Sequence, residues 1–122
     1  MRRWIAAFAT TATLLTASNS WAHRFPLRPG SEVVVIATAY CQKGRTQSGD
    51  PAASHIIAAD PRVLPLGSTV RIMDGPQRGI YTVLDTGAAV KGLKIDIFFN
   101  DCDRAEAFGK QRMHIRVLRS GR

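Results

Sequence analysis

Six short runs of apolar and β-branched residues, each bounded by Gly, Pro or Asp, constrain the fold of this chain more than any other feature. The runs cover residues 33–40, 55–59, 69–73, 80–84, 93–99 and 113–118. Runs of this length and composition are typical of β-strands, and the residues between them favour turns. Six short strands within about 90 residues predict a mainly β protein built as a small closed barrel.

One short helix is predicted at residues 102–109. Asn100 or Asp101 can cap its start, and Ala105 and Phe108 fall on one face. We expect this helix to cover one end of the barrel.

The amino terminus has the pattern of a secretory signal peptide. Arg2 and Arg3 precede an uncharged run rich in Ala, Leu and Thr, and Ser-Trp-Ala at Ala22 offers a small-x-small cleavage site. A membrane anchor is the alternative, but the apolar stretch of about 14 residues is shorter than the roughly 20 needed to cross a bilayer. We expect a signal peptide at residues 1–22 and an exported protein, periplasmic or extracellular, with no stable membrane anchor after cleavage.

The length and net charge of the chain limit its number of domains and the kind of partner that it can bind. Of the 122 residues, 100 remain after signal removal, enough for an N-terminal arm at residues 23–31 and one domain at residues 32–119. The net charge falls from +8 to +6, which indicates an anionic partner. Few aromatic residues and an export signal argue against nucleic acid.

The two cysteines, Cys41 and Cys102, lie 61 positions apart without zinc-type spacing. In an exported protein we expect them to form a disulfide. A nucleophilic thiol would need a basic activating partner, and the sequence identifies none. The histidines are dispersed, so we expect no metal site and no cofactor.

Three aspartates stand at or near strand ends. Asp60 and Asp85 each follow a predicted strand, and Asp96 lies inside one. Alternation in residues 93–99 places Asp96 on the face opposite the aliphatic residues. Turn formation explains Asp60 and Asp85 equally well, whereas Asp is depleted in strands, so Asp96 is the strongest functional candidate. Carboxylates at neighbouring strand ends of one small barrel can converge.

The tripeptide that begins at Asp85, Asp-Thr-Gly, is also how aspartic peptidases present their catalytic carboxylate. A peptidase subunit of this size places the tripeptide near its start and follows it with a flap and an apolar-apolar-Gly segment. Here one strand, one helix and one strand follow Asp85. An aspartic peptidase is therefore a remote alternative.

Several segments resemble, in their order, the three-aspartate or 3D domain family. They are TAYC (38–41), GRTQSG (44–49), AADPRVLPLGSTVRI (58–72), VLDTGAAVKG (83–92), KIDIFF (94–99) and AEAFG (105–109). This family is similar to the catalytic barrel of membrane-bound lytic transglycosylase A and to stationary-phase survival muralytic proteins. The resemblance implies a six-stranded double-psi β-barrel in which Asp60, Asp85 and Asp96 line a glycan groove, with Asp96 as catalytic acid and Asp85 as supporting carboxylate.

That family resemblance implies cleavage of peptidoglycan between N-acetylmuramic acid and N-acetylglucosamine, with a 1,6-anhydro product. The sugar's own hydroxyl is the nucleophile, so a single acid suffices and the carboxylate pair of ordinary glycosidases is not obligatory. Clustered carboxylates can keep that acid protonated near neutral pH.

Further residues are candidates for binding the glycan. They are Tyr40, Thr46, Ser48, Thr86, Gly87 and Lys91. Ordinary packing and solvated loop positions explain these residues equally well. A non-catalytic glycan-binding barrel, of the expansin-like and rare-lipoprotein-A-like kind, is the main alternative, because fold alone does not confer activity.

Overall fold

A computed structural model describes residues 24–41 and 55–122, which contain six strands and one helix. The elements are β1 (Glu32–Tyr40), β2 (Ile56–Ala59), β3 (Thr69–Ile72), β4 (Gly79–Asp85), β5 (Lys94–Phe98), α1 (Cys102–Phe108) and β6 (Gln111–Arg119). Each corresponds to one predicted element. The largest boundary difference is at β6, which begins two residues earlier than the apolar run, at Gln111.

The six strands close into a barrel in the order β1, β5, β2, β4, β3, β6. The β1/β5 and β2/β4 pairs are parallel, and the other four pairs are antiparallel. Closure leaves no unpaired sheet edge. The predicted mainly β fold, a six-stranded barrel with one short helix, is confirmed.

The core fills the inside of the barrel, because side chains alternate between its two faces. Ile57, Ile95 and Ile115 are completely buried there, one from each of three strands. Burying one such side chain contributes about 1.5–3 kcal/mol. The alternate residues of the barrel strands face outward, and the functional candidates of β1 and β5 are among them.

The helix α1 packs over one barrel end, where the side chain of Asp101 caps its first turn by accepting from the backbone N–H groups of Asp103 and Arg104. Ala105 and Phe108 are buried against the core, as their shared face predicts. Of the two caps that the sequence offered, the structure uses Asp101.

A disulfide joins Cys41, directly after β1, to Cys102, the first residue of α1. Their Cα atoms are 5.2 Å apart. The bond therefore fixes the helix against the end of β1. Within residues 24–41 and 55–122, none of the helical structure has the length and apolar character needed to cross a membrane.

Candidate functional site

Four side chains form one row across the outside of the barrel. Thr38 of β1 pairs with Asp96 of β5, Asp96 with Ala58 of β2, and Ala58 with Asp85 of β4. Directly paired residues point to the same face of a sheet. With strands about 4.8 Å apart, the backbones of Asp96 and Asp85 are separated by roughly 10 Å, and only the small Ala58 side chain lies between them.

A β-bulge places Asp85 in this row. Ile57 pairs with Val83, but the next residue of β2, Ala58, pairs with Asp85, so Leu84 is the extra residue. Without the bulge, Ala58 would pair with Leu84, and Asp85 would fall on the interior face with Val83. Bulges often re-aim a side chain next to an active site. The bulge was not predicted from the sequence, where its signal is an apolar residue, Leu84, at an outward position of the alternation. In the structure Leu84 is 58% exposed.

Asp96 is partly buried and receives a hydrogen bond of 2.9 Å from the Thr38 hydroxyl. Burial raises the pKa of Asp96 above its ordinary value. The Thr38 hydrogen bond and the charge of Lys94 act in the opposite direction, and the negative charge of Asp85 adds to the increase. Asp96 therefore holds its proton to higher pH than a solvated aspartate does.

Asp85 is exposed to solvent at the end of β4. One carboxylate oxygen accepts a hydrogen bond of 2.8 Å from the backbone N–H of Thr86, which orients the side chain at the start of the following turn. The two carboxyls of the row thus have different surroundings, one partly buried and one solvated. Such a difference in surroundings can give two neighbouring carboxyls different roles.

Asp60 lies two residues after Ala58 and is engaged elsewhere. Its side chain is 2% exposed, and its oxygens accept from the backbone N–H of Arg62 at 3.0 Å, from that residue's guanidinium at 3.2 and 2.9 Å, and from the backbone N–H of Gly92 at 2.9 Å. The hydrogen bonds from Arg62 and Gly92 hold the pKa of Asp60 well below its usual range. The described groups that shift the pKa of Asp96 are Thr38, Lys94 and Asp85, and Asp60 is not one of them.

The turn between β4 and β5 depends on two glycines. Gly92 has a φ of +71°, in the left-handed region, and this conformation directs its N–H to Asp60. At Gly87 a Cβ atom would lie 2.8 Å from Cγ2 of Val90, which is buried. Thr86 and Lys91, both predicted to contact substrate, are exposed in this same turn.

Tyr40 lies two residues after Thr38 in β1, on the same face of the strand. Its ring contacts that of Phe98 edge to face, with centroids 5.5 Å apart. Burial, together with the negative charges of Asp85 and Asp96, raises the pKa of Tyr40 to about 12. Its hydroxyl therefore stays protonated and available as a donor beside the row. Thr46 and Ser48 lie outside the described residues.

A cleft of about 300 Å³ continues from Phe98 toward the barrel end that α1 covers. Its lining comprises His55, Pro76, Gln77, Tyr81, Ile97, Phe98, Phe99, Asn100, Asp101 and Arg104. The cleft adjoins the row without including its carboxylates. The cleft was not predicted from the sequence, although Phe98, an aromatic residue on the polar face of β5, was a signal.

Within the described part of the chain, no three His, Cys, Asp or Glu side chains are grouped as metal ligands. The polar groups of the row are the carboxyls of Asp96 and Asp85, with the hydroxyls of Thr38 and Tyr40 beside them.

Comparison with known families matches residues 55–119, more than half of the chain, to the 3D domain. The chain belongs to the 3D domain family. The matched segment contains all three aspartates and extends from the start of β2 to the end of β6.

Two relatives of this 3D domain come from Bacillus subtilis (strain 168). YabE, named for cell wall shaping, is 33% identical over 124 residues, which cover 93% of this chain and 28% of YabE. The cell wall-binding protein YocH is 38% identical over 96 residues, which cover 71% of this chain and 32% of YocH. The chain thus spans about a third or less of the length of these two relatives.

Among solved structures, the 3D domain chain is similar to the lytic transglycosylase MltA from Escherichia coli. The two are 22% identical, with a TM-score of 0.45, over 62% of this chain and 27% of MltA.

Proposed function

We propose that this protein cleaves peptidoglycan glycan strands as a lytic transglycosylase, with Asp96 as the general acid. The observation that carries the proposal is the row on the barrel surface: a partly buried carboxyl with a raised pKa faces a solvated carboxylate across a single alanine. A general acid must still hold its proton near the working pH. Asp96 meets this requirement better than Asp60 or a freely solvated aspartate.

In the proposed reaction, Asp96 gives its proton to the oxygen that links C1 of N-acetylmuramic acid to N-acetylglucosamine. The C1–O bond breaks, and the C6 hydroxyl of the same muramic acid attacks C1. Asp96, now a carboxylate, accepts the proton of that hydroxyl, so the acid is regenerated and no water is consumed. The negative charge of Asp85 stabilises the positive charge that develops on the sugar.

Asp60 is a positioning residue in this scheme. Its hydrogen bonds tie the turn after β2 to Gly92, at the end of the turn that begins beside Asp85. A carboxylate with a strongly lowered pKa is a poor proton donor near neutral pH. We therefore propose that Asp60 fixes the turn after β2 and the turn after β4 relative to each other.

Tyr40 and Phe98 supply an aromatic surface beside the acid, and the protonated Tyr40 hydroxyl is a donor for a sugar oxygen. Thr86, Gly87 and Lys91 border the site from the turn after β4, and Thr46 and Ser48 complete the proposed glycan contacts. The positive net charge of the chain suits a polymer rich in carboxylates.

Location and relatives agree with this substrate. The amino-terminal pattern favours export, and two relatives are named for cell wall shaping and cell wall binding. The general proposal is a peptidoglycan-related role in the cell envelope or outside the cell. The specific proposal is catalysis by Asp96.

A second candidate function is binding without cleavage. It is favoured by the name of YocH, a cell wall-binding protein. In that case the row would contact the glycan and release no product.

Digestion of purified sacculi separates the two functions. The mature protein, residues 23–122, is incubated with sacculi, and the soluble products are analysed by mass spectrometry. We expect muropeptides that end in 1,6-anhydro-N-acetylmuramic acid. Reducing ends would indicate hydrolysis instead, and co-sedimentation with sacculi without soluble products would indicate binding alone.

A further inference from the structure

The cleft beside the row is not used by the proposed chemistry, yet it begins close to the acid. Phe98, on its wall, is two residues beyond Asp96 on the same strand. At about 3.3 Å per residue, the two Cα atoms are roughly 7 Å apart, on the same face. A substituent of a sugar held at Asp96 can therefore reach the cleft directly.

His55 and Tyr81, two other residues of the cleft lining, are held in defined positions. The ring of His55 packs on that of Tyr81 with centroids 4.8 Å apart, and the Tyr81 hydroxyl donates to the carbonyl oxygen of Gln77 at 2.8 Å. His55 has a φ of 73°, and its carbonyl accepts from the backbone N–H of Thr82 at 3.0 Å. A non-glycine residue in this region of backbone conformation is uncommon and is often found at functional sites.

Arg104 supplies a positive charge at the rim. It is exposed and lies over the ring of Phe99, 6.0 Å from the centroid. Asp101, the carboxylate in the cleft lining, is occupied as the helix cap. No ion pair involves Arg104 among residues 24–41 and 55–122. A guanidinium held in this way suits a carboxylate of a ligand, which it can bind through two hydrogen bonds.

We propose that this cleft binds the carboxylate-bearing peptide branch of the glycan, with Arg104 as the partner of a branch carboxylate. The inference rests on the proposed function, because it takes peptidoglycan as the substrate. The peptide is attached to the muramic acid, the sugar whose C1–O bond is cleaved, so it leaves the glycan within one sugar of Asp96. A further neutral sugar of a bare strand would fill the space but would leave the charge of Arg104 without a partner.

Binding measurements in an Asp96→Asn background test this inference without turnover. Dissociation constants are measured by calorimetry for glycan oligosaccharides that carry stem peptides and for the same oligosaccharides after enzymatic removal of the peptides. We expect Arg104→Gln to weaken binding of the peptide-bearing ligand by about 10-fold or more, as for loss of a hydrogen bond between charged groups. Binding of the peptide-free ligand should not change. Arg104→Lys should recover part of the loss, since it keeps the charge without the bidentate geometry.

Lys110→Gln is the matched control, since Lys110 is exposed and does not line the cleft. It removes the same charge and should leave both affinities unchanged. An equal loss for both ligands in Arg104→Gln would show that the cleft holds sugar, and no loss for either would show that Arg104 is not a ligand; both results overturn the inference. Failure of the wild-type protein to release anhydro products, with peptide-dependent binding retained, would refute only the catalytic proposal.

Discussion

The hydroxyl of Thr38 donates a hydrogen bond of 2.9 Å to Asp96 from the adjacent parallel strand. This bond stabilises the ionised form of the carboxyl, whereas burial and the charge of Asp85 stabilise the protonated form. The raised pKa of Asp96 is the net result of these opposing contributions. The hydrogen bond and the charge of Asp85 can each be removed by one substitution, and the two resulting pKa changes have opposite signs.

Replacement of Thr38 by valine removes the donor at nearly constant volume. The pKa of Asp96 should rise, so the alkaline limb of the pH profile of kcat/KM should move to higher pH. The profile of kcat/KM reports the free enzyme, in which this hydrogen bond is present. Thr82→Val, at an outward-facing position of β4, is the control and should leave the limb in place. A limb that moves to lower pH in Thr38→Val would contradict the assignment.

Replacement of Asp85 by asparagine should have the opposite effect. Loss of the neighbouring negative charge lowers the pKa of Asp96, so the alkaline limb should move to lower pH. The maximal rate should also fall, by about 10-fold or more, because transition-state charge loses a stabilising partner. A variant with a reduced rate but an unshifted limb would mean that the two carboxyls are not coupled.

Asp60 should make folding stability depend on pH below neutrality. Its folded-state pKa is depressed, so the stabilisation that it contributes is fully present above the unfolded-state pKa of about 4. That stabilisation is lost as the pH falls through this value toward the folded-state pKa. Urea unfolding between pH 2 and pH 7 should show a shallower decline in the free energy of unfolding for Asp60→Asn than for the wild type.

At pH 7 the Asp60→Asn variant should be less stable than the wild type, because Arg62 and Gly92 lose a charged acceptor. Asp103→Asn, a change at an exposed aspartate of α1, should reproduce the wild-type pH profile. Identical profiles for all three proteins would rule out the structural role given to Asp60.

The disulfide should contribute a large part of the stability of so small a domain. Closing a loop of 61 positions is worth about 4 kcal/mol in the chain-entropy account. Cys41→Ala combined with Cys102→Ala should lower the free energy of unfolding by an amount of this order, measured by urea denaturation at neutral pH. A loss well below 1 kcal/mol would show that the bond does not constrain the unfolded chain as expected.

The sequence predicted the elements well because their signals are local. Alternation over residues 93–99 was sufficient to separate Ile95 and Ile97, which are buried, from Asp96 on the outer face. The cap at Asp101 and the buried face of α1 follow from equally short-range rules. The order of the strands in the barrel was not predicted, because it depends on pairing between segments that are distant in sequence.

The site was harder to predict because its geometry depends on pairings between distant residues. The bulge that brings Asp85 beside Ala58 is a property of two strands together. The burial of Asp60 depends on Gly92, 32 positions away. The sequence singled out Asp96 but could not show that Asp96 has a raised pKa, that Asp85 is exposed and that Asp60 has a lowered pKa.

The most direct measurement of the central claim compares release of anhydro-muropeptides by the wild type, Asp96→Asn and Asp103→Asn at equal protein concentration. Asparagine keeps the size of the side chain and an oxygen that accepts from the Thr38 hydroxyl, but it has no acidic proton to transfer to the glycosidic oxygen. We predict that Asp96→Asn is slower by about 100- to 10,000-fold, the range typical of a lost general acid, and that Asp103→Asn matches the wild type. Full activity in Asp96→Asn would contradict the account.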